Sequence, residues 1–199
     1  MDKTGIIILA AGNSSRLGRP KQLLPFQGKT LLAHLATEAL AADLAPAVVV
    51  TGAYHTELLD ALNGLVVRVV YNPRWESGMA SGIVVGMMEA LVSAPDLKAV
   101  MVAVCDQPYI TAELFRSMIS IHADPGKGIV ACTYGGTLGT PVLFSGRYFA
   151  ELSALSGEGG AKQLVRRFAG DVAMVPFPKG EIDIDTEEDF KQLVNDSNG

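Results

Sequence analysis

The feature that most constrains the fold is the passage 5–25, GIIILAAGNSSRLGRPKQLLP. Its apolar run at 6–9 stops without polar alternation at Ala10, Ala11 and Gly12 and passes into a small loop ending in Arg16, Gly18 and Lys21. An unalternating apolar run suits a central strand buried on both faces. In sheets of that kind ligands gather just beyond the carboxyl ends of the strands, so the chemistry is expected at 11–21. Gly12 and Gly18 let main-chain N–H groups approach an anion. Asn13, Ser14 and Ser15 add short polar groups, Arg16 offers a forked guanidinium and Lys21 a compact ammonium. These residues describe a triphosphate cradle, although a plain turn with two solvated cations uses the same residue types.

Two common phosphate motifs are absent. A Walker loop needs Gly-Lys followed by Ser or Thr, whereas Arg19 and Pro20 intervene here and Gln22 follows Lys21. The dinucleotide fingerprint needs a second glycine where Asn13, Ser14 and Ser15 stand. Pro20 and Pro25 disfavour an immediate helix.

Beyond the loop, apolar spacing predicts helices over 30–44, 57–62, from 78 to about 92, 111–121, up to 168 and 187–194. Strands are predicted at 47–50, 66–71, 99–104 and 129–133, with a glycine-rich turn at 134–139 before a further apolar run at 140–144. Alternating strands and helices imply an α/β fold with a mostly parallel sheet. A chain of 199 residues, 49% hydrophobic, fills one such domain, with a frayed tail expected at 195–199. A net charge of −5 argues against a nucleic-acid or anionic membrane surface. The short apolar start does not read as a leader, so a cytoplasmic protein is expected. Cys105 and Cys132 sit in apolar runs and read as buried thiols, and His34, His55 and His122 have no metal-ligand spacing.

Three later segments carry polar groups at places where a strand or helix ends. In 72–81, NPRWESGMAS, Gly78 and Ser81 fall where a helix N-terminus offers free N–H donors, or Ser81 is a simple cap and Trp75 a packing residue. Asp106 follows a buried strand, where a carboxylate is costly unless it faces a cavity, a cation or a partner; the alternative is a cap on the helix near Thr111. The loop 157–162, ending in Gly160, Ala161 and Lys162, opens a helix and suits either a terminal phosphate or a plain turn. Alternation along 182–185 puts Asp183 and Asp185 on one face, and Thr186 can cap the helix that follows.

Leu9-Ala10-Ala11-Gly12, Arg16, Gly18 and Pro20-Lys21, with Asn72-Pro73, Trp75, Gly78-Met79, Ser81 and Asp106-Gln107-Pro108, resemble the signature of a known enzyme class. These are the GT-A-like, Rossmann-related nucleotidyltransferases, and the match is closest to the molybdenum cofactor cytidylyltransferases and other MobA-like enzymes. The resemblance spans nearly the whole chain. It implies a three-layer Rossmann-like fold of GT-A type, with a nucleotide-binding N-terminal half and an acceptor-facing C-terminal half. It implies Mg²⁺-dependent transfer of CMP from CTP to the terminal phosphate of molybdopterin or molybdenum cofactor, with release of pyrophosphate.

The resemblance also assigns roles. Arg16, Lys21 and Asp106 are expected to be catalytic; Leu9, Ala10, Ala11, Gly12, Arg16, Lys21, Thr51, Gly78 and Ser81 to bind the nucleotide; and Asp106 and Asp185 to hold the metal, with Asp183 behind Asp185. Gln107, Pro108, Thr140, Pro141, Gly160 and Lys162 are expected to face the acceptor, and a molybdoenzyme or its chaperone to receive the product. Ala11 carries a methyl where guanylyl-transferring relatives usually have glycine, which favours CTP over GTP. The alternatives are a guanylyltransferase, a nucleotidyltransferase for another small phosphorylated metabolite, a non-catalytic nucleotide-binding accessory protein, and an oxidoreductase with a dinucleotide fold, against which the missing glycine fingerprint counts.

Overall fold

The apolar run at the amino end becomes β1 (Thr4–Ala10), buried along nearly its whole length. The computed structural model describes residues 3–123 and 126–197. In chain order after β1 come β2 (Pro25–Phe26), β3 (Lys29–Thr30), α1 (Leu31–Ala41), β4 (Ala47–Thr51), α2 (His55–Ala61), β5 (Arg68–Tyr71), α3 (Met79–Ser93) and β6 (Ala99–Val104). They are followed by α4 (Ala112–Ala123), β7 (Ile129–Tyr134), β8 (Thr137–Ser145), α5 (Phe149–Ser153), α6 (Lys162–Arg167), β9 (Val172–Pro176) and α7 (Glu187–Ser197). Thr30 caps α1 by accepting from the Ala33 N–H at 3.1 Å, as its residue type predicts.

The main sheet has the order β5-β4-β1-β6-β8-β7-β9. β1 pairs in parallel with β4 and β6, β4 with β5 and β7 with β9, while β8 runs antiparallel to both its neighbours. The chain winds from β1 outward to β4 and β5, then returns to the other side of β1 as β6. That reversal opens a crevice between the carboxyl ends of β1 and β6, the usual place for a ligand in such a sheet.

Period-2 alternation then sorts β1 into two cores. Ile6 and Ile8 meet Leu32, Leu35, Leu58 and Phe115 on one face, and Ile7 meets Ile83, Met87 and Leu152 on the other. The result is three layers. A smaller cluster of Leu17, Leu24, Phe26, Leu31, Ile184 and Leu193 lies beneath the loop after β1. Among the described residues no helix is long and apolar enough to cross a membrane.

The helix α3 approaches the sheet so closely that a Cβ on Gly86 would lie 2.5 Å from Ile7 Cγ2 and 3.1 Å from Val50 Cγ2. Gly86→Val should therefore overpack the interface and cost about 1–3 kcal/mol. In a chain of this length that lowers Tm by roughly 2–4 °C per kcal/mol. A thermal melt unchanged from wild type would show that α3 can lift off at no cost.

Three sequence expectations need correction, and two elements were not foreseen. The predicted turn at 134–139 is a two-residue turn, because Gly135 and Gly136 take φ +53° and +73°, the left-handed pair a tight hairpin requires. β8 consequently begins at Thr137. The helix expected over 30–44 ends at Ala41, and Asp43 is left-handed at φ +58°. The frayed tail expected at 195–199 is helical through Ser197, since Leu193 anchors α7 in the small cluster, and 198–199 lie outside the described residues. Finally, α5 and the half-buried edge strand β9 carry too short an apolar pattern to announce themselves.

Candidate active site

The loop after β1 is held from below by a residue that sequence reasoning used only to exclude a Walker loop. Gln22 is 1% exposed, and its amide donates to the carbonyls of Ala10 and Gly12, both at 2.9 Å. Ser14 spends its hydroxyl inside the loop, accepting from the Lys21 N–H at 3.0 Å. The Tyr54 hydroxyl donates to the Asn13 carbonyl at 2.8 Å. Gly52 is forced by contact, since a Cβ there would stand 2.6 Å from the Ala11 carbonyl. The loop is a preformed backbone structure fixed on three sides.

At its end the charged residues converge. Lys21 Nζ donates to Asp106 Oδ2 at 2.7 Å and Asp185 Oδ1 at 2.9 Å, and Arg16 donates to Asp185 Oδ2 at 2.5 Å. The Lys21 and Asp106 side chains are only 15% and 21% exposed. Asp106 comes from the end of β6, whereas Asp185 is delivered from residues far along the chain: the Ile184 N–H donates to the Asp106 carbonyl at 3.0 Å, and the Ile184 side chain is buried in the cluster under the loop. Farther out, Arg19 makes a bidentate pair with Glu187 at 2.7 and 3.0 Å. The start of α4 is served by the Thr111 hydroxyl and the Glu38 carboxylate, so Asp106 is not its cap.

Burial alone would lower the Lys21 pKa, but the charge and hydrogen bond of Asp106, with that of Asp185, raise it well above its ordinary value. Lys21 is a permanent cation. The Lys21 hydrogen bond, opposed by burial and helped by the Lys21 and Arg16 charges, holds Asp185 below the usual aspartate range. Asp183 moves the other way, raised by burial and by the charges of Asp106 and Asp185. Burial pushes the Cys105 thiol up to about 12, which leaves it inert as a nucleophile at neutral pH.

The Asp185 shift sets an acid limb. A carboxyl whose folded pKa is depressed stabilises the fold above its unfolded pKa of about 3.9, and the contribution disappears as pH falls through the lower folded value. The Tm advantage of wild type over Asp185→Asn should accordingly be constant from neutrality to about pH 5 and shrink below it. A difference that grew on acidification would reverse the sign of the interaction.

Beside this network lies a cleft of about 590 Å³. Leu9, Ala10, Ala11, Gly12, Lys21, Gly78 and Asp106 all line it, together with Trp75 and Met79. Three expected nucleotide residues do not: Arg16, paired with Asp185, stands outside the lining, and the hydroxyls of Thr51 and Ser81 serve other partners. Thr51 is fully buried, its hydroxyl 2.7 Å from His55 Nδ1, and Ser81 is tied to the carbonyl of Gly78 at 2.8 Å while accepting from Asn72 Nδ2 at 2.8 Å. Their hydroxyls are consumed by neighbours, and Asn72, named in the sequence only as part of the signature, lines the cleft and fastens the loop before α3 through Ser81 and the Arg74 N–H.

The expected acceptor residues divide as well. Gln107, Pro108 and Pro141 are buried and Thr140 is half-buried, and none of the four lines the cleft. Gly160 packs on Met79 and takes φ +49°, and the neighbouring Gly157 and Glu158 lie against Gly78. Lys162 is exposed at the start of α6.

Among the described residues no cluster of three or more His, Cys, Asp or Glu side chains is arranged to hold a metal. Asp106 and Asp185 nonetheless point oxygens at one common point, occupied by the Lys21 ammonium. Two convergent carboxylates fit a hard divalent ion such as Mg²⁺ or Mn²⁺, which commonly takes one or two carboxylates and completes its shell with substrate phosphates and water. The arrangement is suited to binding and polarising a polyphosphate.

The model of the MobA-like NTP transferase domain family matches residues 6–172. The nicotine blue oxidoreductase of Paenarthrobacter nicotinovorans is 31% identical over 94% of this chain and 95% of its own. The molybdenum cofactor cytidylyltransferase of Escherichia coli strain K12 is 28% identical over 96% of this chain and 95% of its own. The crystal structure of Rv0371c from Mycobacterium tuberculosis H37Rv superposes with a TM-score of 0.80 at 29% identity, covering 98% of this chain and 99% of that one. The complex of Rv0371c with manganese gives 0.75 at 26% identity, covering 97% and 98%.

Proposed function

The chain belongs to the MobA-like NTP transferase domain family and is a nucleotidyltransferase by that membership; from this premise we propose that it moves CMP from CTP to the terminal phosphate of molybdopterin or molybdenum cofactor. The observation that carries the reading is the convergence of Arg16, Lys21, Asp106 and Asp185 beside the cleft at the ends of β1 and β6. A phosphate oxygen of the acceptor attacks the α-phosphorus, the bond from that phosphorus to the bridging oxygen breaks, and pyrophosphate leaves.

A divalent cation, Mg²⁺ in this proposal, supplies Lewis-acid neutralisation of the triphosphate when held by Asp106 and Asp185. Arg16 is suited to grip phosphate oxygens in pairs, and Lys21 places a permanent positive charge where the leaving group gathers negative charge. A phosphate monoester is already largely ionised at neutral pH, so no general base is needed. Positioning and electrostatics then provide the acceleration. The product is passed to a molybdoenzyme or its chaperone in the cytoplasm.

The donor assignment rests on Ala11, which lines the cleft and whose methyl, in this proposal, leaves less room for a purine than glycine would. Pyrophosphate release with each of the four ribonucleoside triphosphates, with and without molybdopterin, tests it. Release is expected with CTP and only with acceptor, and Ala11→Gly is expected to raise the rate with GTP relative to CTP. Equal rates with CTP and GTP in wild type would remove the argument. A second reading, oxidoreduction, is prompted by the name of the 31%-identical relative. The absence of a glycine fingerprint after β1 counts against a dinucleotide site there.

A further inference from the structure

Asp106 and Asp185 are separated by most of the C-terminal half of the chain, and the segment that returns Asp185 to the site is a short strap after β9, with a 3-10 turn at Pro178–Glu181. We infer that Gln107 is a positioning residue that fastens this strap and thereby sets the spacing of the two carboxylates; the inference rests on the metal-dependent transfer proposed above.

Gln107 is 4% exposed and fully engaged. Its Nε2 donates to the Gly180 carbonyl at 2.7 Å and to the Tyr134 hydroxyl at 3.2 Å, and its Oε1 accepts from the Thr140 hydroxyl at 3.0 Å. The Gly180 carbonyl can only accept, so the amide nitrogen must face it, and the Thr140 hydroxyl then completes the other end of the amide. The fit at Gly180 is tight, since a Cβ there would lie 2.4 Å from the Tyr134 ring. Four residues later the strap is caught again, by the Ile184 N–H on the carbonyl of Asp106. Two consecutive residues therefore grip the strap at two points: Asp106 through its main chain and Gln107 through its side chain. Asp183 lies between the grips and Asp185 follows the second. A buried amide with its hydrogen bonds satisfied fixes geometry in a way that apolar packing of the same volume does not. This assignment replaces acceptor contact as the role of Gln107.

The test uses Gln107→Met, which keeps length and approximate volume but removes both donor and acceptor, with Thr140→Val as a milder variant that frees only one end of the amide. Amide hydrogen exchange at 180–185, measured without added metal or nucleotide, should speed up at least 10-fold in Gln107→Met and less in Thr140→Val, while exchange in β1 and β6 stays as in wild type. The Mn²⁺ dissociation constant should rise about 10- to 100-fold, as is usual when a partner behind a metal ligand is lost. In steady state kcat should fall with acceptor KM unchanged.

Unchanged exchange at 180–185 overturns the inference, as does a raised acceptor KM with unaltered kcat and Mn²⁺ affinity. If Gln107→Met does not fold, the same three readouts on Thr140→Val decide. Should wild type neither bind Mn²⁺ nor transfer a nucleotide, the functional reading has failed, and the exchange comparison still decides for or against Gln107 as the anchor of the strap.

Discussion

Replacing Lys21 by methionine is expected to lower kcat for nucleotidyl transfer by about 10²- to 10³-fold, or about 3–4 kcal/mol in the barrier, the usual cost of deleting one preorganised electrostatic contact. The expectation follows from the placement of the ammonium, which bridges two carboxylates at 2.7 and 2.9 Å and keeps its charge because those carboxylates hold its pKa high. Arginine should not rescue it, because a planar fork does not fit a slot shaped for a compact charge and left only 15% exposed. The substitution should also expose the balance of charge in the protein. With the ammonium gone, among the described residues Asp106 has no ion-pair partner and Asp185 keeps only Arg16, so Tm should fall. Added Mn²⁺ should then raise Tm more in Lys21→Met than in wild type, because the two carboxylates no longer share their oxygens with an ammonium and tighter binding to the folded state stabilises it more, as RT ln(1 + c/Kd) at metal concentration c. Wild-type kcat in the variant would remove Lys21 from the mechanism.

Asp106→Asn is the second large effect. The amide preserves shape and removes charge, so the fold should persist while kcat/KM falls at least about 10²-fold, in line with the loss of a charge that acts on the transition state. The Mn²⁺ affinity should fall with it. A carboxylate that served only as a helix cap would leave both Mn²⁺ affinity and kcat/KM unchanged on mutation, which is the opposite pattern. Titration of each protein with Mn²⁺ followed by steady-state kinetics separates the two outcomes. The hydrogen bonds at the head of α4 already favour the first, since Thr111 and Glu38 serve those amides.

What the sequence revealed and what it concealed follow from how far each signal reaches along the chain. The strand at 6–9 and the loop after it were legible because an unalternating apolar run ending in small residues has few other structural uses. Asp106 was legible because a carboxylate at the end of a buried strand needs a reason. The structure brings Arg16, Lys21, Asp106 and Asp185 to one point, and the last of these was found by the alternation at 182–185 together with a resemblance.

Asn72 and Gln107 stood out in the sequence as parts of a signature, but the supporting role of the amides was not legible. Gln22, Asn72 and Gln107 do their work through carbonyls and hydroxyls that only the tertiary fold brings near, and a glutamine or asparagine in a loop has no periodicity to betray it. Thr51 and Ser81 illustrate the converse: their position in a motif suggested ligand contact, while nearby ring nitrogens, carbonyls and amides claim their hydroxyls. The hairpin at Gly135 and Gly136 was hidden because Thr137, Leu138 and Gly139 look like loop until β7 pairs with them.

The most direct test of the central claim is the mass of the acceptor after incubation of wild-type protein with CTP, Mg²⁺ and molybdopterin, with nicotinamide cofactor consumption followed in parallel. The account predicts an acceptor heavier by one cytidylyl group, formed in equal amount with pyrophosphate, and no product with Lys21→Met on the same timescale. An acceptor of unchanged mass, with nicotinamide cofactor consumed in its place, would contradict it.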